Sequence, residues 1–284
     1  MRKLVKLSLL AWIAALLPGN LAHAVDRPMS TTRTKAKPGV LVADDPTFSA
    51  DILGIMQSNF RDPAEPEHVS EMILELLPTV RLSEGFALDG KIIIEQPVSG
   101  KTDTKVDDGI FLLRYRRIPL AAESRFSFVP QGGLVVPLSS DSVDKQSLRM
   151  GVTARPRLIW TAELFRAFYE LQYHAYFHEF ESSLSGEPNV ANQLAHRFSA
   201  AYQLLPGFTL SSELKFTSSW TYQGDQHDSF TVLGELGYQF TKMFSASVGL
   251  ENAAGMLAAD GRSSNLSVFD NKSAVWYFYG ALSI

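Results

Sequence analysis

The chain has 284 residues, 26 basic and 30 acidic, a formal net charge of −4, and no cysteine. That length holds one large domain or two small ones. The acidic balance argues against a general nucleic-acid binder, and the lack of cysteine excludes disulfides and a lipid-anchored lipoprotein.

Residues 1–24 have the build of a signal peptide. Arg2, Lys3 and Lys6 precede the apolar run "LSLLAWIAALL" (Leu7–Leu17), which Pro18 and Gly19 break before the small-residue site "AHA". The run is too short to span a bilayer as a helix. Cleavage is expected after Ala24, and it leaves 23 basic and 30 acidic residues. A polar linker follows, to about Asp45. Phe48, Ile52, Ile55 and Met56 share one helical face, and Val69, Met72, Ile73, Leu76 and Leu77 share another. Asp45-Pro46 and Glu65-Pro66 serve as starts, and Pro78 as a stop. Residues 25–78 therefore read as a linker and a short helical segment that plugs a barrel or lies on its periplasmic side. The alternative is that part of this segment is an extra strand pair.

From about Thr79 the period changes to two. Leu148, Met150, Val152, Ala154, Pro156, Leu158 and Trp160 alternate with Arg149, Gly151, Thr153, Arg155 and Arg157. In "FRAFYELQYHAYF" (Phe165–Phe177) the odd positions are apolar and the even ones include Arg166, Glu170 and His174. The same alternation runs through Phe198–Leu204, Phe208–Trp220, Phe230–Phe240, Phe244–Leu250 and Trp276–Ile284, which marks strands. Weaker patterns place earlier strands at about 80–95, 109–119 and 123–138. Links at Thr161–Leu164, Leu205–Gly207 and Thr241–Met243 are very short. Those at Ser139–Gln146, Glu181–Val190, Tyr222–Asp228 and Asn252–Lys272 are longer and polar, and the two kinds occur strictly in turn. Transmembrane barrels connect strands by short periplasmic turns and longer outer loops in this way. The pattern predicts an all-β, closed antiparallel transmembrane barrel over 79–284 with about ten strands, or twelve if the extra pair joins.

A soluble sandwich also alternates, so other features must decide between a protein core and lipid. These strands are about twice the length of a globular strand, and about 10 tilted residues cross the hydrocarbon layer. The large aromatics sit at strand ends on the outward face: Trp160, Phe165, Phe208, Phe240 and Phe244 near turns, Trp220 and Trp276 near loops. That distribution suits two interfacial girdles. The last residues, "AVWYFYGALSI", resemble the terminal strand of bacterial outer-membrane β-barrel proteins. Trp276, Phe278, Leu282 and Ile284 would form the C-terminal signal read by the outer-membrane assembly machinery, although the class usually ends in Phe or Trp. The resemblance is architectural and covers about 79–284. It implies a place in the bacterial outer membrane, with its lipid as a partner.

The proposed inner face carries Arg114, Arg116, Arg125, Arg149, Arg155, Arg157, Arg166, Arg197 and Lys215, against Glu170, Glu213, Glu235 and Glu251. With His174, the residues from Arg149 onward are the candidate lumen lining. A net positive lumen biases a pore towards anions. The alternative is an interior filled by Arg–Glu pairs, as small barrels are. His174 and His178 lie about 13 Å apart along a strand, too far for one metal. Asp225, His227, Asp228 and Ser229 in one loop form the only candidate for a hydrolase, and turn chemistry explains them better. No cofactor, metal site, catalytic residue or nucleic-acid partner is expected. The reading is a small porin-like channel for polar solutes. A structural or surface-binding barrel comes second, and an outer-membrane hydrolase third.

Overall fold

A computed structural model describes residues 47–61, 68–98, 104–121, 124–257, 265–270 and 273–284. The expected signal peptide and linker lie outside them. The strands, in chain order, are β1 (Phe48–Asn59), β2 (Ser70–Arg81), β3 (Phe86–Pro97), β4 (Lys105–Val106), β5 (Gly109–Tyr115), β6 (Ile118–Pro119), β7 (Phe126–Val129) and β8 (Gln131–Val136). There follow β9 (Leu148–Ala154), β10 (Arg157–Thr161), β11 (Phe165–His178), β12 (Val190–Leu205), β13 (Phe208–Thr221), β14 (Gln226–Gln239), β15 (Phe244–Gly255) and β16 (Ala274–Ser283).

These make one antiparallel sheet that closes on itself. β1 pairs with both β2 and β16, and β11 pairs with β9, β10 and β12. Closure is required in lipid, because an open edge would leave backbone N–H and C=O groups without partners. The ring has twelve staves: β1, β2, β3, β5, β8, β9 and β11 to β16. β7 and β10 continue β8 and β9 past Pro130 and Pro156, where the missing N–H breaks the ladder while the register holds on both sides. β6 continues β5 with a one-residue offset against β7. β4 is a two-residue rim piece on β3.

The helical reading of residues 45–77 is wrong. Residues 48–59 and 70–81 are β1 and β2, so the barrel begins at Phe48 and has the twelve strands held as the alternative. The inner face of β1 explains the error. Leu53 and Ile55 point inward and are buried with Tyr277 and Tyr279 of β16, while Ile52 and Met56 point outward. With apolar residues on both faces, the period of two disappears from the sequence. Pro78 stops nothing either. It sits within β2, where Leu77 and Pro78 drop out of the β2–β3 ladder without a change of register. Gly90 faces it, and a Cβ there would lie 2.9 Å from the Pro78 ring. A five-residue helical turn, Asp141–Lys145, tops the loop before β9.

The outer face is apolar and open. Leu134, Val152, Phe198, Leu210, Leu236, Val248 and Phe278 are all exposed on it. At one rim the last loop folds back onto that wall. Asn252 donates to the Ser267 carbonyl at 2.8 Å, Asn265 donates to the Met256 carbonyl, and the Phe269 ring meets Phe60 at 5.3 Å. Phe230, Asn252 and Ala274, which alternation turns outward, are fully buried.

Candidate functional site

The inner face of β9 to β13 carries a charged network. The register stacks Arg157, Glu170, Arg197 and Lys215 directly across four neighbouring strands. Glu170 lies at the centre and is 0% exposed. Its carboxylate accepts from Arg157 Nε at 2.6 Å, from Gln131 Nε2 at 3.1 Å and from Gln172 Nε2, and Arg197 lies 3.7 Å away. Arg197 also donates to Glu213 at 2.7 Å. The Phe168 ring packs under both guanidinium groups, 4.8 Å from Arg157 and 5.2 Å from Arg197. A carboxylate this deeply buried persists as an ion only when several donors and cations satisfy it, as here.

Above this row stand Thr153, Arg155 and His174. Thr153 and His174 are cross-strand partners, and an Arg155 terminal nitrogen lies 3.4 Å from His174 Nε2. The His174 ring stacks on Tyr176 at 5.8 Å. Among the described residues, neither Arg155 nor Lys215 is in a salt bridge.

Beyond β13, β14, β16 and β1 build a different wall. Glu235 is 5% exposed and accepts from Tyr277 Oη at 2.8 Å and Tyr279 Oη at 3.1 Å, beside Leu53 and Ile55. Gly249 makes room for the Tyr277 ring, since a Cβ there would come within 2.4 Å of it. β1 to β3 add Asp51, Glu71, Glu75 and Asp89 to the interior. Glu71 accepts from Gln57 at 2.5 Å, Lys91 reaches Glu75 at 3.5 Å, and Arg114 binds Asp89 at 2.6 Å. Beside the expected cations, which concentrate on β9 to β13, the interior thus holds the acids Asp51, Glu71, Glu75 and Asp89 on the facing strands. The acids of β1 and β2 were missed because the strands themselves were missed. Tyr277 and Tyr279 could have been found, because they occupy inward positions of a strand that the alternation does identify.

The remaining named residues are spread widely. Arg149 is exposed at the rim and paired with Glu179. Arg166 and Glu251 are half-buried, away from the Glu170 row. Trp160 contacts Phe126 and Phe165, and Phe208, Tyr238, Phe240 and Phe244 form a continuous chain of rings near two turns. Trp220 donates to Gln226 at 3.2 Å, and Trp276 pairs with Leu250 near the opposite ends of their strands. Phe278 is exposed, Leu282 pairs with Ile52, and Ile284 exchanges backbone hydrogen bonds with Ala50. The presumed loop "GDQHDS" is mostly strand: Gln226–Ser229 open β14, so Asp228 points to the face opposite His227 and Ser229. His227 and Ser229, on one face of the strand, lie about 7 Å apart along it, too far for the hydrogen bond a triad needs. An apolar cleft of about 770 Å³ runs over Ala167, Ala200 and Leu214 of the outer wall under Leu266 and Val268.

No protein-family model matches the sequence, and no curated protein matches it. Solved structures match the fold. An outer membrane channel from Pseudomonas putida F1 shares 13% identity and a TM-score of 0.58, over 88% of this chain and all of that one. The NanC porin shares 14% identity and a TM-score of 0.52, over 82% of this chain and 98% of that one. At such identities the likeness concerns architecture, and it agrees with the closed ring and apolar outer wall: this chain has the fold of bacterial outer-membrane β-barrel proteins.

Proposed function

We propose that this chain is an outer-membrane channel that passes small polar solutes and favours anions. The observation that carries the reading is the interior wall of β9 to β13, where Arg155 and Lys215 stand beside the neutralised Arg157–Glu170–Arg197 cluster and, among the described residues, make no salt bridge. Fixed cations on a water-filled wall raise the local anion concentration. In this reading residues 1–24 are removed on export, the Trp160, Trp220 and Trp276 girdles sit at the headgroups, and Trp276 to Ile284 are read by the assembly machinery. The likeness to an outer membrane channel and to a porin supports it at the level of fold.

The test is conductance in planar bilayers. The wild type should conduct with a reversal potential on the anion side, and Arg155→Glu with Lys215→Glu should move it towards cations. A folded barrel that never conducts sinks the channel reading. It would favour a filled, structural barrel, which the complete burial of Glu170, Leu53 and Tyr277 within the interior supports as the second reading.

A further inference from the structure

Among the described residues, three polar atoms within the Thr153, Arg155 and His174 group are buried without a hydrogen-bond partner: Thr153 Oγ1, Arg155 Nε and His174 Nδ1. Buried polar atoms in folded proteins nearly always find partners, so three orphans in one cluster call for a specific reason. Thr153 is 2% exposed and His174 5%. The cluster is built by the sheet. Thr153 and His174 face each other across the β9–β11 ladder, and Arg155 follows Thr153 by one alternation on the same face. Alternation fixes this shared orientation.

The chemistry of the three atoms is uniform. A guanidinium group only donates, so the Arg155 terminal nitrogen 3.4 Å from His174 Nε2 requires that nitrogen to accept. In the neutral ring the proton then sits on Nδ1, which becomes a donor. Arg155 Nε is a donor by its nature, and the Thr153 hydroxyl donates freely. Three donors therefore stand at or beside the Arg155 guanidinium, which makes no salt bridge among the described residues. A group rich in acceptors and negative charge satisfies all of them at once. Charge-assisted hydrogen bonds of this kind are the strong ones.

We propose that Thr153, Arg155 and His174 form an oxyanion-binding subsite on the channel wall, which holds the carboxylate or phosphate group of a solute during passage. The subsite deepens the channel reading and rests on it for its biological role, but its occupancy is testable without conduction. Thr153 and His174 anchor the group through neutral hydrogen bonds, and Arg155 supplies charge. Conduction requires that such a site hold its solute weakly enough to release it.

The test uses the full chain, folded in detergent and checked by heat-modifiable migration. Its unfolding temperature is followed against sodium phosphate and, separately, sodium acetate, with sodium chloride at equal ionic strength as reference. A saturable rise is expected with at least one of the two anions. Arg155→Gln should weaken the apparent affinity about tenfold or more, and the isosteric Thr153→Val about three- to tenfold. Arg149→Gln removes a charge at the rim and should leave the affinity unchanged. If Arg155→Gln fails to fold, Thr153→Val alone decides. No saturable rise in the wild type overturns the site, as does an equal loss in Arg149→Gln and the two site variants. A retained rise in a barrel that does not conduct overturns the channel reading and leaves the site standing.

Discussion

Glu170 on β11 and Glu235 on β14 are the same side chain, buried inside the same barrel, and held by opposite means. Glu170 sits among cations, with Arg157 in contact, Arg197 at 3.7 Å and two amides completing its shell. Glu235 sits against an apolar cluster and accepts two phenol hydroxyls. The first arrangement neutralises charge with charge and binds four strands in register. The second places two bulky rings inside the barrel and uses the carboxylate to orient them. The interior is therefore not one environment: one wall is a charged lining, and the other is nearer to a small core.

Substitutions should separate the two. Glu170→Ala leaves Arg157 and Arg197 buried without their common carboxylate, and a cost of about 3–5 kcal/mol is expected in urea unfolding. A cost below about 1 kcal/mol would mean that water already solvates both cations and that the wall is open at this level. Glu235→Ala removes the acceptor of the Tyr277 and Tyr279 hydroxyls, at about 1–3 kcal/mol. A loss equal to that of Glu170→Ala would dissolve the contrast. Tyr277→Phe removes one of the two hydrogen bonds and keeps the ring, so the expected loss is smaller still, about 1 kcal/mol, in the same measurement. A larger loss would show the hydroxyl, and not the ring, to be what holds that wall.

The strands from β9 onward were legible because each buries one face and exposes the other, so residue type follows position. The assignment failed where that rule fails. On β1, Leu53 and Ile55 face inward as apolar residues, and Ile52 and Met56 face outward as apolar residues, so neither face announces itself. Pro78 added a false stop, which Gly90 of the next strand removes by giving the ring space. Among the candidate residues, alternation put Arg157, Glu170 and Arg197 on one face but left their contacts undetermined, since those depend on register across three strands. Strand alternation also separates Asp228 from His227, once Gln226–Ser229 prove to be part of β14 and not of a loop.

By itself, the sequence determined the period, the order of short and long connections, and the sign of each inward charge in the second half. These are local properties, carried by alternation within one strand. Only the tertiary structure decided that residues 48–81 close the ring, that the acids of β1 to β3 face the basic wall, and that Thr153, Arg155 and His174 converge with unanswered donors. Those are properties of pairing between segments distant in the chain, where a shift of one residue would turn every side chain to the other face.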